Sequence, residues 1–480
     1  MNFRPILFIN GLLITILGAS MLIPMFTDFY YGHDDWKVFA LCIMFTVFFG
    51  GILTISNHSR DPFQLNVRQG FLITATSWLS ISIFGSIPFW FSALDLSFTD
   101  SAFEAISGIT TTGSTIIVGL DNAPPGILIW RALLQWLGGI GIIVMALSIL
   151  PLLKVGGMQL FKTESSENEK ALPRARDLAI MICFIYLALT AFCFVAYRIV
   201  GMGVFDAIAH SMTTIATGGF STRDDSMGAF AGTGADLVAI LFILISALPF
   251  VLYLKAIKGK AQPLLKDSQV RVFFGFIAVI TLFSSFHLSS VLDIPLLDSI
   301  RLSLFSVVTI ITGTGFTNAD FSGWSAILTV VFFFMMFVGG CAGSTTCSIK
   351  IFRYQILFST IKHQIKRLTH PNGVFITRYN GQAVSDDVPL SVIGFVCLYL
   401  LSFAAIALCL LLTGLDITTS LSGAATSISN VGPGLGDIIG PTGTFQPLSN
   451  TAKWILSIGM LLGRLELFTL FVLFSPRFWR

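Results

Sequence analysis

The sequence predicts an all-α protein that crosses a membrane many times. Two N-terminal helices precede four helix–pore-loop–helix repeats around one pseudo-fourfold pore. Three observations carry that expectation. Only 11 % of the 480 residues are charged while 54 % are hydrophobic, whereas soluble domains run near a quarter charged. Apolar windows of the ~20 residues that cross a bilayer recur along the whole chain. Four short segments rich in threonine, serine and glycine return between those windows.

Taken in order, the windows lie near 6–27, 37–57, 69–92, 126–153, 177–200, 236–257, 271–291, 324–352, 388–412 and 452–474. Arg4 ahead of "ILFINGLLITILGASMLIPMF" gives the first a signal-like start. It is long for the apolar core of a signal and a second span follows at once, so it reads as a retained helix. Cys42, Cys183, Cys193, Cys341, Cys347, Cys397 and Cys409 all fall in apolar stretches without CxxC or His-rich spacing. They read as reduced core residues and not as a disulfide frame.

Basic residues collect at 154–176, 255–271 and 350–378, and Arg4, Arg60, Arg68, Arg477 and Arg480 share their side under alternating topology. The positive-inside rule makes that side cytoplasmic and places both termini there. The other side carries Asp28, Asp34, Asp35, Asp121, Asp224, Asp225, Asp320 and Asp437, which gather cations modestly. For any single one of these, a solvated loop is explanation enough.

The four recurring segments are "SAFEAISGITTTGST" (101–115), "DAIAHSMTTIATGGF" (206–220), "SLFSVVTIITGTGFT" (303–317) and "SLSGAATSISNVGPG" (420–434). They align on Gly113, Gly218, Gly315 and Gly432, which are 105, 97 and 117 residues apart. Each sits between two long spans, so the unit is helix, short helix plus loop, helix. A twelve-residue helix reaches only ~18 Å, short of the ~30 Å hydrocarbon core. Such segments enter the membrane and turn back, which is tolerated only where protein buries them or they line an aqueous cavity. Turn chemistry explains one Thr/Gly loop; four in register point to a shared axis.

Glycine supplies the chemistry. It takes φ > 0 without strain, so successive carbonyls can face the same way. A ring of such carbonyls replaces the hydration shell of a weakly hydrated monovalent cation. Threonine hydroxyls complete the innermost ring, and the run Thr110–Ser114 carries no charge.

These features together resemble the Trk/Ktr/HKT potassium transporter superfamily, and within it the bacterial TrkH/TrkG uptake subunits. The likeness covers nearly the whole chain, including "GLLITILGASMLIP", "WLGGIGIIV" (136–144), "SNVGPGLG" (429–436) and "GRLELFTL" (463–470). It implies K⁺, with Rb⁺ as its substitute, held in one filter per subunit in a bacterial inner membrane. It also implies a homodimer among membrane lipids, regulated by a TrkA-like cytosolic nucleotide-binding ring. No covalent cofactor and no nucleic-acid partner are expected. Carried over position by position, the filter comprises Thr111, Thr112 and Gly113; Ala216, Thr217 and Gly218; Gly313, Thr314 and Gly315; and Asn430, Val431 and Gly432. The fourth loop departs from the others through Asn430, Val431 and Pro433, so selection against Na⁺ is expected to be imperfect. Relatives with serine at the first-loop glycine are associated with Na⁺ transport, so Gly113 favours K⁺.

Two features belong below the filter. The window 324–352 contains "GGCAGSTTCS" (Gly339–Ser348), too rich in glycine for a good helix. Gly339 and Gly343 also fit close helix packing; the alternative is a break forming a gate from Gly339, Gly340, Gly343, Ser344 and Thr345. The resembled family has an intramembrane loop here, which favours the gate. Arg464 lies near the middle of the last window, where a charge is expensive. Its predicted role is an electrostatic barrier, and Glu466, two residues on, points elsewhere on a helix.

Other motifs carry less. "GGIGII" (138–143) lies inside a span without a strand before it and reads as packing. His210 and His287 read as capped or interfacial. No P-loop, HExxH or nucleophile–base set occurs, so an enzyme is not expected. An H⁺- or Na⁺-coupled carrier remains the alternative to a channel-like pore. The expected divisions are a two-helix part, 1–68; repeat 1, 69–157; a cytoplasmic connector and repeat 2, 158–257; repeat 3 with its broken last helix, 258–352; and a connector and repeat 4, 353–480. The polar stretches 158–177 and 353–386 are candidate docking surfaces for a soluble partner.

Overall fold

The computed structural model describes residues 2–59, 66–148, 171–259 and 262–480. Most of 158–177, one of the candidate docking stretches, lies outside them. Among the described residues, seven helices are long and apolar enough to cross a membrane: Arg4–Tyr31, Trp36–Ser56, Val67–Phe91, Pro125–Met145, Asp177–Ile199, Ser268–Val291 and Asp387–Leu411. Their surfaces match lipid. Met44, Phe184 and Leu401 are each about two-thirds exposed, which hydrocarbon tolerates and water would not. Polar ends are capped where they begin. Asn66 and Gln69 form a reciprocal capping box at Val67–Phe91, and Asp267 accepts from the Gln269 N–H at Ser268–Val291.

Three of the ten expected spans differ from unbroken helices. The window 236–257 is two helices, Ala235–Ser246 and Phe250–Ile257, bent by 87°. Pro249 sits at the break, where it lacks an N–H and pushes Leu248 away from helical geometry. The last window is Asn450–Arg464 and Phe468–Phe474, bent by 102°. Here Glu466 turns the chain with φ +57°. The helix in the window 324–352 runs only over Ala326–Met335; after Met336 and Phe337 comes a non-helical loop that rejoins a helix, Ile351–Thr369, at the window's end. The cysteines are free thiols, but Cys397 and Cys409 are exposed and not in the core.

The N-terminal pair packs through small residues. A side-chain carbon at Gly11 would sit 2.7 Å from the Thr54 nitrogen, and one at Gly50 would meet Thr15 at 2.6 Å. Such close backbone approach is how membrane helices associate without a hydrophobic driving force.

Four short helices enter between the long ones: Phe98–Ile109, Val204–Ile215, Leu296–Ile311 and Ile417–Ser429. Ser97 caps the first by accepting from the Asp100 N–H at 3.1 Å, and Asp416 caps the fourth through the Thr419 N–H at 3.0 Å. Each ends directly before one of the glycine loops. The partial negative charge of a helix C-terminus therefore lies beside all four loops and favours a cation there.

Candidate functional site

The four loops close on one another in a ring. A side-chain carbon at Gly113 would lie 2.3 Å from the Gly218 carbonyl oxygen; at Gly219, 1.9 Å from that of Thr314; at Gly315, 2.1 Å from that of Val431; and at Gly432, 2.9 Å from that of Thr112. Each loop thus seats its glycine against a carbonyl of the next, and the fourth returns to the first. All four glycines have positive φ: +88°, +78°, +78° and +110°. A residue with a side chain would be strained by either condition.

This geometry shifts the second loop by one residue. The equivalent turn bonds are Thr112 N to Ser107 O, Gly218 N to Thr213 O, Thr314 N to Thr309 O and Val431 N to Thr426 O. A second positive φ falls at Thr111, Thr217, Gly313 and Asn430. Thr217, Gly218 and Gly219 are therefore the counterparts of Thr111, Thr112 and Gly113. Ala216, assigned to the filter from sequence, belongs one place earlier, opposite Thr110 and Thr312. The doubled glycine "GG" fits the pattern in either register, which is why spacing alone chose Gly218 over Gly219.

Cross-loop bonds hold the ring. Ser114 Oγ donates to the Gly432 carbonyl at 2.7 Å, and Asn430 Nδ2 donates to Thr112 Oγ1 at 2.8 Å. The hydroxyls of Thr110 and Thr112 pair at 2.7 Å, and those of Thr312 and Thr314 at 2.8 Å. Outside the ring, Gly113, Gly219, Gly315 and Gly432 lie in the lining of an open cavity, with Arg223 and Asp224 also lining it.

Behind loops 1 and 2 lies an ion pair that sequence reading passed over. Arg131 Nε meets Glu104 Oε1 at 2.7 Å, with both side chains at most 1 % exposed. Glu104 also accepts from the Ile116 N–H at 3.0 Å. Arg131 donates to the Ser221 carbonyl at 2.6 Å and stacks on Phe220 at 4.1 Å. Removing one member strands a buried charge, at a cost of about 3–5 kcal/mol. Arg131→Met is therefore expected to lower the melting temperature of the detergent-purified protein sharply. Adding Glu104→Gln is expected to recover much of that loss, and equal melting of single and double variants would contradict the pair's role.

Below the ring sits the loop Gly339–Lys350. Its ends are pinned where the Gly339 N–H donates to the Ile349 carbonyl at 2.9 Å, and Gly339 through Cys347 are buried. It plugs into the break at Pro249: the Phe250 N–H donates to the Gly343 carbonyl at 2.9 Å, and the Cys341 N–H to Ala247 at 3.2 Å. It touches the ring from beneath, with Thr217 Oγ1 donating to Thr345 Oγ1 at 3.1 Å and Thr111 Oγ1 lying 3.6 Å from Cys347 Sγ. Ser344 turns inward on the loop itself, bonding the Cys341 carbonyl and Thr346.

Arg464 lies near the middle of the last window, where it ends its helix at the 102° bend. Its guanidinium donates to the Thr345 carbonyl at 3.3 Å, to Cys347 Sγ at 2.6 Å and to the Gly138 carbonyl at 3.2 Å. It is 3 % exposed and bonds no carboxylate among the described residues. Glu466 instead pairs with Arg353 at 2.5 Å. His210 bonds the Asp206 carbonyl and Ser221, and His287 bonds Ser325, so both are held by partners.

Fold and site define a class: a multi-pass membrane protein whose four repeats share one axis. Residues 36–480 match the TrkH family model, described as a cation transport protein, and the chain belongs to the TrkH family. It is a transporter and not an enzyme. It is 43 % identical over 482 residues to the Trk system potassium uptake protein TrkI of Halomonas elongata, covering 100 % of this chain and 97 % of that protein. It is 38 % identical over 489 residues to the Trk system potassium uptake protein TrkH of Escherichia coli, covering both in full. The crystal structure of the potassium transporter TrkH from Vibrio parahaemolyticus superposes with a TM-score of 0.92 at 38 % identity, over 100 % of both chains.

Proposed function

We propose that this chain carries K⁺ inward across the bacterial inner membrane through a channel-like pore, and that the ring at Gly113, Gly219, Gly315 and Gly432 is its selectivity filter. The observation that carries the reading is the closed succession of glycine against carbonyl around four sides. Such a ring offers oxygen ligands without a fixed charge, which suits a cation that sheds its water readily, K⁺ or Rb⁺. The relatives named as potassium uptake proteins support the choice of ion. The loop Gly339–Lys350 and Arg464 gate the pore from below. Both termini face the cytoplasm, and each repeat contributes one side of the pore. The chain works as a homodimer, regulated by a TrkA-like nucleotide-binding ring on its cytoplasmic face.

Reconstituted protein tests this directly. In opposed K⁺ and Na⁺ gradients the reversal potential is expected to follow K⁺ and to stay fixed when a pH gradient is imposed. A reversal potential that moves with pH at constant K⁺ would identify the H⁺-coupled carrier instead.

A further inference from the structure

The second loop lacks what the first and third possess. At the position of Thr112 and Thr314 it has Gly218, and at the position of Thr110 and Thr312 it has Ala216. The hydroxyl pairs that brace loops 1 and 3 are therefore absent from loop 2. Their place is taken from outside the loop by Gln135, on the helix Pro125–Ser148 and 0 % exposed.

Its amide bridges both sides of Gly219. Nε2 donates to the Gly218 carbonyl at 2.6 Å and Oε1 accepts the Phe220 N–H at 3.0 Å. The fixed roles of the two backbone groups set the orientation of the amide. A side-chain carbon at Gly218 would fall 2.4 Å from Gln135 Cδ, so the missing threonine and the inserted glutamine are one exchange. Arg131, one turn earlier on the same helix, holds the Ser221 carbonyl. Loop 2 is thus tied at three successive points by a helix of the first repeat.

We propose that Gln135 is a specificity-determining positioning residue of this transporter. It fixes the loop 2 wall and withdraws electron density from one of the four ring carbonyls. The carbonyls of Thr112, Thr314 and Val431 carry no such donor among the described residues. One quadrant of the ring is therefore a weaker ligand than the other three. This rests on the ring being the filter.

Gln135→Met keeps the length and bulk of the side chain and removes both hydrogen bonds. It is expected to fold, and to lower the K⁺/Na⁺ permeability ratio from reversal potentials by about three- to tenfold, the weight of the one bond that reaches a ring carbonyl. Gln135→Glu retains the acceptor for Phe220 and loses the donor to Gly218, and it is expected to lose selectivity to a similar extent. It also decides the matter if the methionine variant does not fold. A residue that only fills space predicts wild-type selectivity in the methionine variant, and that result overturns the proposal. Gly113→Ser, measured alongside, separates the two levels. Selectivity lost there but kept in the Gln135 variants removes only the brace, whereas selectivity kept in all of them removes the filter.

Discussion

Serine in place of Gly113 is expected to lower the K⁺/Na⁺ flux ratio tenfold or more, on the order of 1.4 kcal/mol of lost discrimination, while the protein still folds. Two independent obstacles meet at that residue. Its φ of +88° disfavours any side chain by roughly 1–2 kcal/mol. The new carbon would also sit 2.3 Å from the Gly218 carbonyl oxygen, well inside contact distance. The oxygen must rotate or its loop must retreat, and either change alters one wall of the ring. A cation held by carbonyl geometry feels such a change more than the folded state does. Paired Rb⁺ and Na⁺ uptake into vesicles gives the ratio. An unchanged ratio in well-folded protein would take Gly113 out of the filter.

Arg464→Ala is expected to raise K⁺ flux per folded molecule about tenfold or more. A unit charge 4 Å from a passing cation costs it ~4 kcal/mol at an effective dielectric of 20, and retaining even ~1.4 kcal/mol as a barrier is a factor of ten in rate. The hydrogen bonds add a second reason. Arg464 holds the Thr345 and Gly138 carbonyls together, so alanine releases the loop as well as removing the charge. Lysine keeps the charge but lacks the fork that spans both carbonyls, and an intermediate flux is expected. A purely structural arginine predicts that the alanine variant expresses poorly or conducts less. Flux equal to wild type would end the barrier reading.

The glycine ring was legible in the sequence because its requirement is absolute at each position: a left-handed turn with a neighbour's carbonyl where Cβ would be. Register in loop 2 was not legible, because Gly218 and Gly219 both satisfy the pattern; what separates them is the positive φ of Gly219 and its approach to the Thr314 carbonyl, which only the folded ring reveals. The break at Pro249 carried a signal inside an apolar window, and helix-breaking chemistry reads it. The bend at Glu466 carried none. A glutamate at φ +57° is set there by Arg353, 113 residues earlier. Glu104 and Arg131 are a different lesson. The cost of a charge at membrane depth that singled out Arg464 applies equally to them, and it points from each to the other.

The closing of the ring also has a history in time. Ser114 and the Gly432 carbonyl it bonds are 318 residues apart, and synthesis at roughly 5–20 residues per second leaves the first wall waiting tens of seconds for the last. Glu104 and Arg131 are only 27 residues apart, so the nascent first repeat can neutralise its own charges before any other wall exists. Gln135 then presents a ready donor and acceptor to the second loop as it emerges. A ring assembled from four identical chains changes all its walls with each mutation. One encoded as a single chain can alter one wall at a time, at the cost of a nascent intermediate that stays open on one side until the fourth repeat is made.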